Sequence, residues 1–166
     1  STGLTGTART PLTVTAGTAV KLGVNRQPST TGQSGVALAT QPRAQVQDIS
    51  GNSVSVTGVL VTATIASGPV GATLTNPTAT TGSTGLATFS GLAVSGPPGT
   101  YTLQFDATTA GYTPVVSGNL VLTVGPASQL SLTTPPPATV ASGAAFVPAP
   151  VVQLRDSTGN NVALPG

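Results

Sequence analysis

The stretch RAQVQDISGNSV, residues 43–54, returns as VVQLRDSTGNNV at residues 151–162. In each copy apolar and polar residues alternate up to an Asp, the chain turns at Gly-Asn, and a Val resumes the pattern. Period-two alternation is the mark of a strand with one buried face. Asp-x-x-Gly-Asn is turn chemistry, because Asp and Asn side chains bond nearby backbone groups and Gly reaches positive φ without strain. The reading is a strand over Arg43–Asp48, with Ala44 and Val46 inward and Gln45 and Gln47 outward, then a turn at Ile49–Asn52. An acid that recurs at one place in each copy points to architecture rather than catalysis. Asp48, Gly51 and Asn52, and with them Asp156, Gly159 and Asn160, are therefore assigned as structural turn residues. Their carboxylates are expected to accept backbone amides two or three residues further on.

Working outward, an offset of 108 residues lays Gly17–Gly58 on Gly125–Gly166 without a gap, with 15 identities in 42 positions. The matches include Leu22 with Leu130, Pro28 with Pro136, Ser34-Gly35 with Ser142-Gly143, Pro42 with Pro150 and Gln45 with Gln153. Backwards, Leu12 and Thr15 fall on Leu120 and Thr123. A fixed period of this kind signals tandem units. Residues 1–17 read as the final strand region of a preceding repeat, 18–125 as a complete repeat, and 126–166 as the opening strands of the next.

Inside the complete repeat, strand signals alternate with Gly, Pro and Asn turns. They fall at Ala19–Val24, Arg43–Asp48, Val59–Ala66, Ala72–Leu74, Gly85–Phe89, Leu92–Val94, Tyr101–Ala107 and Asn119–Val124. Tyr101, Leu103 and Phe105 share one face and are assigned to the core, with the Tyr101 hydroxyl expected to tie back to nearby backbone. No window has helical spacing supported by caps. Strands this short and this evenly spaced predict an all-β chain: an antiparallel β-sandwich of immunoglobulin-like topology, repeated every 108 residues or so.

Composition narrows the function. The chain has 5 Lys+Arg, 3 Asp+Glu and no His, Cys, Met or Trp. With imidazole and thiolate missing, the usual zinc, haem, iron–sulfur and triad chemistries lose their ligands. Asp48, Asp106 and Asp156 are the whole supply of acids, and Glu is absent, so a paired-carboxylate glycosidase is not supported. Calcium calls for 6–8 oxygens and more than one carboxylate, so no metal or other cofactor is expected. The five basic residues are scattered and form no stripe that could follow a phosphate backbone, so nucleic acid is not an expected partner. No run of about 18 apolar residues could insert in a bilayer. The 30 Thr, together with Ser, read as an uncharged hydrogen-bonding strand surface, with O-linked glycans as the rival use.

Taken in order, Ala44, Val46, Asp48, Gly51, Asn52 and Val54, then Val59–Ile65, Thr84–Phe89, Gly99–Phe105 and Asn119–Val124, form a recognisable series. It resembles the bacterial immunoglobulin-like repeats of invasin- and intimin-type surface proteins. The repeat is longer than is usual there, and the segment Gly68–Gly82 is read as the loop that takes the excess. The resemblance implies an extracellular or bacterial cell-surface location and a non-catalytic role as stalk, spacer or adhesive shaft. Neighbouring repeats of the same chain would be its partners. The alternative is a self-assembling filament or sheath subunit in which identical chains complete each other's partial repeats.

Overall fold

The structure is a computed structural model that describes residues 13–163. It contains thirteen β-strands and one turn of 3₁₀ helix among those residues. In chain order the strands are β1 (Lys21–Arg26), β2 (Thr31–Gln33), β3 (Arg43–Gln47), β4 (Leu60–Ser67), β5 (Thr73–Thr75), β6 (Thr78–Thr80) and β7 (Leu86–Thr88). They continue with β8 (Ala93–Ser95), β9 (Gly99–Asp106), β10 (Val115–Val116), β11 (Leu120–Thr123), β12 (Ala127–Thr134) and β13 (Val151–Asp156).

Two sheets face each other. One has the order β1-β3-β7; the other runs β2-β11-β9-β4-β6, with β10 beside β9. All these pairs are antiparallel except β2 with β11, which is parallel. The register carries the alternation across the strands: Leu22 pairs with Val46, Ala44 with Ala87, Ala63 with Phe105 and Tyr101 with Leu120. Each of these side chains is buried in one continuous cluster between the sheets. Phe89 and Phe105 meet at its centre with ring centroids 5.2 Å apart at 47°, within the range aromatic pairs prefer. Mutual coverage of two apolar faces is what stabilises a sandwich.

Three features depart from the sequence reading. Gln45 lies inside rather than outside, because its side-chain amide reaches the carbonyls of Val46 (3.1 Å) and Thr84 (2.9 Å) and is thereby satisfied. The segment 68–82 is more than a loop, since it carries β5, paired to β8, and β6, paired to β4. The short strands β2 and β10 carry little alternation of their own and are held by β11 and β9.

After β11 the chain passes through Val124-Gly125-Pro126 into the hairpin β12–β13. There Leu130 pairs with Leu154 and Leu132 with Val152. This hairpin occupies the repeat positions of β1 and β3, but its sheet face is open: Leu130 is 73% exposed, whereas its counterpart Leu22 is 3% exposed.

Candidate functional site

The turn after β3 and the turn after β13 have the same backbone. In the first, the Asp48 amide donates to the Asn52 carbonyl (3.0 Å) and the Gly51 amide to the Asp48 carbonyl (3.1 Å); the second repeats both bonds through Asp156, Asn160 and Gly159 at the same lengths. Gly51 and Gly159 have φ of 89° and 87°, a left-handed conformation that glycine adopts without a Cβ clash. Each loop thus turns its Asp side chain back into its own ring of amides.

Asp48 Oδ1 accepts the Asn52 backbone amide (2.8 Å), and Oδ2 accepts the Asn52 side-chain amide (2.9 Å) and the Gly17 amide (2.9 Å). The bonded amides thus lie four residues on and 31 residues back. The last of these clamps the segment leading into β1. Asn52 and Gly17 together hold the Asp48 carboxyl at a pKa of about 2, against the opposing effect of burial.

Asp156 repeats the clamp and extends it. It accepts from the Gly125 amide (2.8 Å), the Thr158 amide (2.9 Å) and hydroxyl (2.8 Å), and the Asn160 amide (2.9 Å) and side chain (2.9 Å). The residue is 0% exposed. Burial by itself pushes this carboxyl up, but the Asn160, Gly125 and Thr158 donors outweigh it and hold the group well below the usual carboxylate range.

The second turn also reaches the preceding sandwich. Thr158 Oγ1 lies 3.0 Å from Ser34 Oγ, and the Asn160 side-chain amide donates to the Gly96 carbonyl (3.0 Å). Ser34 is buried and pinned on the same segment: its hydroxyl donates to the Gly96 carbonyl (2.9 Å) and accepts the Gly96 amide (2.9 Å). Gly125 runs so close to this pole that a Cβ there would collide with the Ser34 carbonyl oxygen. The passage from β11 to β12 is therefore a hydrogen-bonded joint of hydroxyls, amides and one carboxylate.

Tyr101 connects the joint to the core. Its ring is fully buried, and its hydroxyl donates to the Pro97 carbonyl (2.6 Å), next to Gly96. Burial pushes this phenol above its ordinary range. Leu103 and Phe105 continue the same face into the cluster. Asp106 sits apart from the other two acids, on the β9 end, and accepts the Thr108 hydroxyl (3.0 Å). Two shallow grooves, of about 390 and 400 Å³, are lined by small, apolar or amide side chains without a charged group.

Sequence reasoning placed Asp48, Asp156 and their Gly and Asn partners in turns but missed Ser34, Gly96, Thr158 and the paired Gly17 and Gly125. The repeat does carry a signal for some of them, since Gly17 matches Gly125 and Ser34-Gly35 matches Ser142-Gly143. Gly96 and Tyr101 lie in the half of the repeat that occurs once, so nothing in the chain could flag them by self-comparison.

No family model matches this chain, and no curated protein matches it. Among solved structures, that of surface layer protein SbsC, domains 4-9, is similar over 88% of this chain, at 18% identity and a TM-score of 0.40. This chain spans 21% of that one.

Proposed function

We propose that this chain is a non-catalytic structural repeat of a long extracellular or cell-surface protein, serving as stalk, spacer or adhesive shaft. The observation that carries the reading is the joint. Asp156 ties the connecting Gly125 amide to its own turn, while Thr158 and Asn160 engage Ser34 and Gly96 of the sandwich before it. A tether with no fixed contacts would let successive units swing; directional bonds at both ends of a three-residue passage hold them at one angle. Fixed angles are what a spacer needs in order to project something a set distance. The strand order supports an immunoglobulin-like topology of the invasin and intimin type, with the opening of the repeat divided between the sheets: β1 beside β3, and β2 beside β11. Neighbouring repeats would be the partners, and O-linked glycans on the Thr-rich faces a further decoration.

The test is accessibility on the cell. Antibody raised against the purified chain should label intact cells, and limited proteolysis of those cells should release its peptides. Label that appears only after lysis refutes the surface reading.

The open face of the β12–β13 hairpin favours a second reading, a filament or sheath subunit whose strands complete one another between chains. Leu130, Leu132 and Val152 are exposed where their counterparts Leu22, Val24 and Ala44 pack in or against the core of the first unit, and uncovered apolar strands invite pairing. Under this reading the purified chain sediments as a concentration-dependent polymer, and Leu130→Asp returns it to monomer. A chain that stays monomeric at every concentration rejects it.

A further inference from the structure

The turn that docks Asp156 onto the preceding sandwich has a twin that, among the described residues, bonds only within its own unit, where Lys21 Nζ donates to the Ile49 carbonyl (3.0 Å). Position for position, Ile49, Ser50 and Asn52 correspond to Ser157, Thr158 and Asn160, and Gly17 to Gly125. In the second copy these positions make the joint: Thr158 lies against Ser34, Asn160 donates to Gly96, and Ser157 faces Gly35, whose Cβ would come 3.1 Å from the Ser157 hydroxyl. In the first copy Asn52 spends one side-chain hydrogen on Asp48, and its other bonds no described residue. Ile49 is 79% exposed on the same turn. A Cβ at Gly17 would meet only Asp48, at 3.5 Å and beyond, so the close approach that demands glycine at 125 has no counterpart yet at 17.

We propose that the surface formed by Gly17, Ile49, Ser50 and Asn52 is a docking face for another sandwich of the same kind, upstream in the same polypeptide. That unit would present a buried serine hydroxyl and a glycine carbonyl arranged like Ser34 Oγ and Gly96 O. The occupant follows from the chain itself. Leu12–Gly17 matches Leu120–Gly125, so the residues entering Gly17 have the pattern of a unit's last strand, as β11 does before Gly125. The glycine at 17, idle in the geometry described, then has the same purpose as the one at 125: it lets the upstream pole come within backbone contact. Ser50 supplies the hydroxyl that Thr158 supplies, and the free Asn52 hydrogen has an acceptor. Ile49 replaces Ser157 against the glycine of the upstream pole, which makes this face more apolar than the joint already formed.

This inference rests on the tandem reading above, and the experiment separates the two. A fusion of residues 1–119 to residues 12–166 keeps the repeat register, because Leu12 follows Asn119 in place of Leu120, and sets a complete sandwich ahead of the second Gly17. Gly17→Ala and, as a second variant, Ile49→Asp are made in the original chain and in the second copy of the fusion; Gly125→Ala in the original chain is the reference. Melting temperature and hydrogen exchange at the Gly17 amide are read. The expected result is that Gly17→Ala and Ile49→Asp leave the original chain unchanged but lower the melting temperature of the fusion by as much as Gly125→Ala lowers that of the original. The parent fusion should also slow exchange at the Gly17 amide at least tenfold relative to the original chain. Variants that are silent in the fusion, with Gly125→Ala still harmful, overturn the docking face alone. A silent Gly125→Ala overturns the joint itself and, with it, the tandem reading. Equal harm from Gly17→Ala in both backgrounds assigns Gly17 to its own unit and also overturns the inference.

Discussion

Replacing Tyr101 with Phe removes one oxygen from a ring that is fully buried. The ring's apolar area stays buried, so the hydrophobic contribution is almost unchanged, and the substitution isolates the bond from the hydroxyl to the Pro97 carbonyl (2.6 Å). A hydrogen bond of this kind contributes a net ~0.5–1.5 kcal/mol, with more lost when the abandoned partner cannot reach water. Pro97 is half-buried, so its carbonyl is only partly rehydrated. A loss of about 1–2 kcal/mol follows. For a unit near 100 residues each kcal/mol moves the melting temperature by roughly 4–8 °C, so the variant should melt about 4–15 °C lower. Thermal melts by circular dichroism measure this directly. The location of the loss is a sharper readout than its size. Pro97 adjoins Gly96, whose carbonyl accepts both Ser34 and Asn160, so exchange at the Gly96 amide should rise more than exchange at β3 or β4. A Tyr101→Phe chain that melts within about 1 °C of the parent, or whose exchange rises evenly over the sandwich, refutes the view that Tyr101 braces the joint from the core.

Leu103→Ala should cost about 2–5 kcal/mol, read from urea melts, because Leu103 is fully buried between the sheets and truncation leaves a cavity. Gly85→Ala should be among the most damaging turn changes, since Gly85 is buried, has φ of 74° and a Cβ there would strike the Val54 carbonyl; a soluble-expression and melting comparison with Gly51→Ala, where no atom lies within 4 Å, separates collision from backbone strain. Acid should loosen both clamps. Their folded-state pKa values lie below the unfolded value of roughly 3.9, so their stabilisation is complete above about pH 4 and is lost as pH falls through about 2 for Asp48 and lower still for Asp156. Urea titrations from pH 6 downward should show that slope, and Asp48→Asn with Asp156→Asn should flatten it.

The sandwich was legible in the sequence where a strand had both alternation and a turn beside it. Val61 and Ala63 in β4, and Tyr101, Leu103 and Phe105 in β9, alternate cleanly and are buried as a set. Thr31–Gln33 and Val115–Val116 are too short for a period to appear, and their pairing is imposed by β11 and β9. Gln45 misled because a polar residue at a polar phase of the pattern ordinarily faces water; only the Thr84 and Val46 carbonyls, one of them 39 residues away, make burial affordable. The turn residues were legible as turns because Asp, Gly and Asn have local backbone reasons to be there. The joint was not, since Ser34, Gly96 and Thr158 are joined only by folding, across separations of 62 and 124 residues.

The scarcity of charge, which first excluded chemistries, also shapes the joint. Its contacts to the preceding sandwich come from a threonine hydroxyl and an asparagine amide, and the single ionised partner, Asp156, is buried beneath them. An interface of exposed ion pairs weakens as salt shortens the range of its attractions. Neutral directional bonds do not depend on that range, and the one carboxylate is saturated by fixed donors within its own turn and the adjoining Gly125. The angle between successive units should therefore be insensitive to ionic strength yet give way in strong acid. Small-angle scattering of the chain should give the same maximum dimension in low and in molar salt. A dimension that changes with salt at neutral pH shows that long-range charge, and not this cluster, sets the angle.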